Sequence, residues 1–104
     1  MSKNIGNIMR QAQKMQERMA EVQKEVSGKT VQASSGGGMV TAEVSGGLKL
    51  IKIKIDPAVV NPSDIEMLED LVSSAVNEAF KRAQEMVSEE MNKVTAGLNI
   101  PGLF

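Results

Sequence analysis

Residues 5–26 read IGNIMRQAQKMQERMAEVQKEV, and their apolar side chains recur at alternating intervals of three and four residues. This spacing places the side chains in one narrow stripe along an α-helix, the pattern of a seam between packed helices. The stripe consists of Ile5, Ile8, Ala12, Met15, Met19, Val22 and Val26. It predicts a helix over about residues 4–26 that packs against another helix, and we expect a second copy of the chain as the partner.

The composition narrows the possible functions. A chain of 104 residues has the length of one domain, and this one contains no cysteine, histidine, tryptophan or tyrosine. It therefore lacks the usual catalytic bases, nucleophilic thiols, and imidazole or thiolate metal ligands. We expect no enzyme activity, no catalytic residues, no metal or other cofactor, and no small-molecule substrate.

The sequence also bears on localisation. It contains no apolar run of about 18 residues, the length needed to span a membrane. The start, Met-Ser-Lys-Asn, leads directly into the amphipathic stripe without the apolar region of a secretory signal. We expect a cytoplasmic protein that does not bind membranes.

Charge is divided unevenly along the chain. Residues 1–54 hold nine basic and four acidic residues, a net charge of +5, whereas residues 55–104 hold three basic and nine acidic residues, a net charge of −6. Such asymmetry indicates an anionic partner for the basic half, or an acidic half that folds back and neutralises it. The pattern alone leaves both interpretations open.

Three strands are predicted after the first helix, over about residues 29–34, 39–45 and 48–55. The second alternates apolar and polar residues, and in the third Ile51, Ile53 and Ile55 point inward. Leu48 and Leu50 are expected on the opposite face with Lys52 and Lys54. The loop at Gly36-Gly37-Gly38 is interpreted as a hairpin, because a phosphate-binding loop would be followed by a helix. Gly46-Gly47 is predicted to close a two-residue hairpin.

A second helix is predicted over about residues 63–96. Its start resembles a capping box, in which Ser63 and Glu66 satisfy each other's backbone N–H groups. At 1.5 Å per residue it would be about 50 Å long, so it must extend beyond a compact body. We expect either a break near Glu89-Glu90 or packing of its far end on a partner. An apolar tail follows over residues 97–104.

Three cations on the first helix form a row beside the stripe. Arg10, Lys14 and Arg18 are four residues apart, so the row can follow the phosphates of a nucleic acid. The alternative is an ordinary solvated face with intrahelical pairs, such as Lys14 with Glu17 or Arg18 with Glu21. A twofold dimer would double the row and favour the nucleic-acid interpretation.

The order of elements and several segments resemble the YbaB/EbfC family of bacterial nucleoid-associated proteins. The resemblance covers nearly the whole chain, 1–104, which we treat as a single YbaB/EbfC-like domain. The segments that carry it are Asn7-Ile8-Met9-Arg10-Gln11-Ala12-Gln13-Lys14-Met15-Gln16, Gly36-Gly37-Gly38-Met39-Val40, Ile53-Lys54-Ile55-Asp56-Pro57, Leu68-Glu69-Asp70-Leu71-Val72 and Leu98-Asn99-Ile100-Pro101-Gly102.

The resemblance implies an α+β fold, with a three-stranded antiparallel sheet between two long helices, in a tweezer-like homodimer. It also implies binding of double-stranded DNA by the helical arms with little sequence preference, in the nucleoid, with a role in nucleoid organisation or transcription. Carried over to this chain, the DNA-binding residues would be Lys3, Arg10, Lys14, Arg18, Lys81, Arg82 and Lys93.

A chaperone or adaptor of the prefoldin type is the alternative function. There, paired helices grip client proteins, and the methionines of the stripe and the apolar tail would serve as the contact surface. The two functions differ in salt dependence, because phosphate binding weakens steeply with ionic strength and apolar capture does not.

Overall fold

The computed structural model describes the backbone of residues 2–97 and the side chains of residues 4–96. The predicted tail therefore lies outside the described residues apart from Gly97, and so does the side chain of Lys3. Two long helices flank a three-stranded antiparallel sheet, which confirms the predicted α+β class and element order. The elements are α1 (Ser2–Ser27), β1 (Thr30–Ser35), β2 (Val40–Ser45), β3 (Leu50–Ile55) and α2 (Ile65–Gly97).

The sheet has the order β1-β2-β3, and α2 lies across β1 and β2. Three alanines on α2 are completely buried against the sheet, where the small side chain lets the helix approach closely. These alanines are Ala75, Ala79 and Ala83, and they face the apolar side of β2, where Val40, Ala42 and Val44 are also completely buried. Every fully buried side chain in the described chain is thus a valine or an alanine, so the core of one chain is small.

The edge strand β3 is left mostly uncovered. Its isoleucines lie on the same side of the sheet as Val40 and Ala42, because Val40 pairs with Ile55 and Ala42 with Ile53. However, α2 does not reach across this strand, and Ile51 and Ile55 keep 50% and 38% of their surface exposed. The sheet therefore presents an apolar half-face that the described part of its own chain leaves uncovered.

A β-bulge changes the expected pattern at the start of β3. Glu43 pairs with Lys52 but Val44 pairs with Leu50, so Ile51 is an extra residue on β3. Paired residues point to the same side of the sheet, and Leu50 therefore joins the apolar face of Val44. The expectation that Leu50 shares the lysine face was wrong.

The turn before β3 also differs from the prediction. Ser45 and Lys49 form the last hydrogen-bonded pair, so the loop has three residues, and Leu48 has a left-handed φ of 58°. This is the three-residue hairpin with a bulge, in which a glycine usually holds the left-handed position. Gly46 is needed for another reason, since a Cβ there would collide with the backbone carbonyl of Val26 at the end of α1.

The cap of α2 is one residue later than predicted. The backbone N–H of Met67 donates to Asp64 Oδ1 at 3.2 Å, and the helix begins at Ile65. Asp64, and not Ser63, therefore satisfies a free backbone donor of the first turn.

Beyond the sheet, α2 continues without a break through Glu89-Glu90 and packs against α1. Lys29, just past the end of α1, lies 3.9 Å from Glu90, whereas Lys14, in the middle of α1, shares a groove with Lys93. Later residues of α2 thus lie beside earlier residues of α1, and the two helices are antiparallel. The pair forms an arm that gives the chain dimensions of 74 × 21 × 16 Å and a radius of gyration of 20.4 Å, against about 13 Å for a compact domain of this size. The predicted overhang exists, and its far end packs on the chain's own first helix.

Candidate nucleic-acid interface

Among the residues that the structure describes, α2 covers the apolar stripe of α1 over its second half only. Val22 and Val26 are buried in a cluster with Val94, and Met19 packs beside them. The stripe thus finds a helix of its own chain there, where we had expected a second copy. Ala12 and Met15 are partly buried, while Ile5 and Ile8 remain 61% and 52% exposed. For these first residues, helix packing stays a prediction.

The cation row approaches the stripe along α1. At 100° per residue, Arg10 points to the opposite side of α1 from Ile8, whereas Lys14 and Arg18 lie progressively closer to α2, with which they line a groove. All three side chains are exposed. Arg18 Nη1 lies 3.3 Å from Glu21 Oε2, one of the two intrahelical pairs considered above, whereas no Lys14–Glu17 pair forms within 4 Å in the described chain.

One cation of α2 joins this row. Lys93 lines a groove of about 500 Å³ between the helices together with Lys14 and Arg18, and its floor is formed by Val22 and Val94. The structure therefore brings Lys14, Arg18 and Lys93 to one side of the arm, although Lys93 is far from the other two in sequence.

Two glutamates moderate the positive charge of this groove. Glu25 of α1 and Glu90 of α2 line the same groove, and Glu90 lies 3.2 Å from Lys93 and 3.9 Å from Lys29. Two lysines thus share one carboxylate, which leaves positive charge in excess at this point. Lys29 was not among the predicted site residues, since only the long-range contact between the end of α1 and α2 places it there.

The other two predicted cations of α2 are elsewhere. Arg82 Nη1 donates to the backbone carbonyl of Gln32 on the edge strand β1 at 2.8 Å, and its Nε lies 3.6 Å from Glu78. Its guanidinium is therefore already engaged in holding α2 to the sheet. Lys81 is exposed but lies twelve residues before Lys93, about 18 Å along the helix.

A further pair of cations lies on the polar face of the sheet. Lys52 and Lys54 are exposed on β3 opposite Glu43 and Thr41, in a shallow groove. From the sequence, both lysines were expected only on an outward face of the strand. The alternation of lysine and isoleucine in the sequence could have indicated a basic face on this strand. The signal is weak, because charged residues are common on the solvent-exposed face of a sheet.

Other kinds of site find no support in the described residues. Within residues 4–96, no group of three acidic, histidine or cysteine side chains is arranged to hold a metal ion. Neither α1 nor α2, as far as they are described, is long and apolar enough to cross a membrane. The most distinctive surface is thus the cationic side of the arm.

Comparison with known proteins assigns the chain to a family. The sequence profile of the YbaB/EbfC DNA-binding family matches residues 1–98. The chain is 55% identical to a nucleoid-associated protein of Alkaliphilus metalliredigens, over 97% of this chain and 89% of that protein. It is 54% identical to nucleoid-associated proteins of a Thermoanaerobacter species (97% of this chain, 91% of that protein) and of Clostridium acetobutylicum (96% and 89%).

A solved structure supports the fold. The crystal structure of an uncharacterized protein from Helicobacter pylori superposes with a TM-score of 0.61 at 23% identity, over 85% of this chain and 95% of that one. The matching family is a DNA-binding family and not an enzyme family, in agreement with the composition. The family resemblance noted from the sequence is confirmed, and the chain belongs to the YbaB/EbfC DNA-binding family.

Proposed function

We propose that the chain acts as a homodimer that binds double-stranded DNA through its helical arms, largely without sequence preference, as a cytoplasmic protein of the nucleoid. The observation that carries the proposal is the grouping of Lys14, Arg18 and Lys93 on one exposed side of the arm. Exposed cations on a long, straight surface suit phosphate contacts, which fix position on a duplex but carry no base information. The names of the relatives agree with this function.

The predicted DNA-binding residues differ in how available they are. Arg10, Lys14 and Lys93 offer exposed side chains on the arm, and Arg18 would exchange one surface pair with Glu21 for a phosphate. Such pairs contribute at most about 1 kcal/mol, so the exchange costs little. Lys3 belongs to the same helix, and Lys81 would extend the contact toward the sheet. Arg82 is expected to contribute least, because its guanidinium already binds Gln32.

The second copy is expected at β3. An exposed apolar edge strand is a liability that proteins usually cover, since its free N–H and C=O groups pair readily with other chains. On α2, Leu71 lies against Gly36, just after β1, and Arg82 binds Gln32 of β1. Val76 and Phe80 lie about 120–180° around the helix from these two residues, and they therefore overlook the uncovered strand. A twofold partner seated there would cover Ile51 and Ile55 and supplement the small core. The arms would then project from a shared body.

The test is a titration of a labelled random-sequence duplex with the protein at several salt concentrations, read by fluorescence anisotropy. Saturable binding whose log affinity falls linearly with log salt is expected, with a slope of about −0.9 for each phosphate neutralised. A lack of binding at low salt would refute the proposal. Binding of unfolded client proteins that persists at high salt would instead favour the prefoldin-type function.

A further inference from the structure

Glu90 lies where a carboxylate is least expected on a DNA-binding surface. It lines the groove between α1 and α2 together with Lys14, Arg18 and Lys93, which carry the proposed contacts to DNA phosphates. A single oxygen of this carboxylate, Oε1, lies 3.2 Å from Lys93 Nζ and 3.9 Å from Lys29 Nζ. One negative charge is thus held among several positive ones, at the surface on which the duplex is expected.

Lys29 and Lys93 belong to different elements and meet at this carboxylate. Lys29 follows the end of α1, and Lys93 lies in the last turns of α2. Because both ammonium groups lie against the same oxygen, they are close enough to repel each other, and an anion between them lowers this repulsion. Glu90 carries one unit of charge and neutralises only one of the two lysines. The pair therefore keeps an excess of positive charge for a further anion.

The two ion pairs of Glu90 are exposed enough to be exchanged. The Glu90 side chain keeps 26% of its surface exposed, and the side chains of Lys29 and Lys93 keep 53% and 73%. Ion pairs at such exposure are weak, because water screens them. A phosphate of a duplex also carries one negative charge and accepts hydrogen bonds from ammonium groups as a carboxylate does. It can therefore take the place of Glu90 between the two lysines.

We propose that Glu90 holds the place of a DNA phosphate in the free protein. On binding, a phosphate replaces the carboxylate between Lys29 and Lys93, and Lys29 thereby becomes a DNA contact in addition to the row on α1. The displaced carboxylate stays near the phosphates and repels them, so Glu90 also limits the affinity of the arm. The inference rests on the proposed DNA binding by the arms, but not on the position of the dimer contact.

The other carboxylate of the groove is not held in this way. Glu25 lines the groove as well, but among the described residues no lysine or arginine lies within 4 Å of its oxygens. Its side chain is exposed and can turn into solvent without breaking an ion pair. Glu90 is therefore the carboxylate whose removal should change DNA binding most.

The variant Glu90→Gln tests the proposal, because glutamine keeps the shape of the side chain and removes its charge. The matched control is Glu85→Gln, which changes the net charge by the same amount on the same helix. Glu85 is exposed and lies about 140° around α2 from Glu90. Affinity for a labelled random-sequence duplex is measured by fluorescence anisotropy at about 50 mM salt, and circular dichroism verifies that both variants are folded.

Glu90→Gln should bind the duplex at least about fivefold more tightly than the unaltered chain, the effect of one unit charge removed about 4 Å from a phosphate in water. Glu85→Gln should change the affinity by less than about twofold, because its charge is farther away and screened. Damage to the fold would weaken binding, so a purely structural role of Glu90 predicts a loss and not a gain. Equal affinities of the two variants would overturn the proposal. If neither the unaltered chain nor either variant bound the duplex, the proposed DNA binding itself would be wrong, and this inference with it.

A second pair of variants tests the role of Lys29. Lys29→Gln should weaken binding and make the slope of log affinity against log salt less negative by about 0.9 for each arm in contact with the duplex. In Lys29→Gln/Glu90→Gln, the gain from the loss of Glu90 should be smaller than in the unaltered chain, because only one lysine is then released. An unchanged slope in Lys29→Gln, or a full gain in the double variant, would contradict the replacement of Glu90 by a phosphate between the two lysines.

Discussion

The replacement of Arg10, Lys14 and Arg18 together by alanine tests the assignment of the arm as the DNA-binding surface. The variant should stay folded, because Arg10 and Lys14 are exposed and Arg18 loses a single surface pair with Glu21. Such a pair contributes about 0.2–1 kcal/mol, and alanine is the strongest helix former. Circular dichroism and the molar mass should therefore match those of the unaltered protein.

The expected loss is large and depends on salt. The variant removes three cations from each chain and six from a dimer. At about −0.9 per phosphate, the slope of log affinity against log salt should become less negative by about 5 if both arms touch one duplex, and by about 3 if only one does. Affinity for a random-sequence duplex at about 50 mM salt should fall at least about a hundredfold. Fluorescence anisotropy over about 50–200 mM salt measures both quantities.

A control of equal charge separates a local contact from general electrostatic attraction. Lys49→Ala/Lys52→Ala/Lys54→Ala removes three cations from the sheet and its turn, away from the arm, and changes the net charge by the same amount. We expect its slope to change by less than about 1. An unchanged slope in the arm variant, or an equal loss in this control, would refute the assignment.

Three further predictions concern the proposed dimer and the fold. Ile55→Ser should weaken the proposed dimer about thirtyfold in sedimentation equilibrium, because covering the exposed 38% of Ile55 would stabilise the dimer by about 1 kcal/mol per chain. The control Lys54→Ser, on the other face of β3, should leave the dimer unchanged, and equal behaviour of the two variants would exclude β3 as the contact. Asp64→Ala should lower the free energy of unfolding by about 1 kcal/mol in urea titrations, while Ser63→Ala has almost no effect; the reverse order would restore the capping box. Leu48→Gly should raise the free energy of unfolding by about 1 kcal/mol, because leucine at a φ of 58° is strained. A lower melting temperature of this variant would mean that the Leu48 side chain makes a stabilising contact with another chain.

Local features of the fold were predictable where the sequence offered one strong signal. The stripe predicted α1 and its end near Val26, and the alternation at Val40, Ala42 and Val44 predicted β2 and its buried face. Where two neighbouring residues could do the same task, prediction failed by one position: Ser63 and Asp64 are both good caps, and only the path of the chain selected Asp64. Leu48 in a left-handed conformation has no sequence signal, because leucine disfavours that region.

Features that depend on long-range packing were not predictable. The stripe required a helix against it, but the pattern could not distinguish α2 of the same chain from α1 of another. The grouping of Lys93 with Lys14 and Arg18, and the engagement of Arg82 by Gln32, follow from the rotation of α2 relative to α1 and the sheet. That rotation is set by contacts between residues far apart in the sequence.

The continuity of α2 has a consequence for how the protein can change in length. One helix serves two clusters: Ala83 is the last residue buried on the sheet, and Met86 is the first that packs on α1. Because α1 is anchored to the sheet by the close approach of Val26 and Gly46, a single residue inserted between Ala83 and Met86 would turn Val94 by about 100° out of phase with Val22. Insertions of about seven or eleven residues, close to two or three full turns, would restore the phase, and then only with a matching insertion in α1. The arm can therefore be lengthened by a whole number of helical turns but not by single residues.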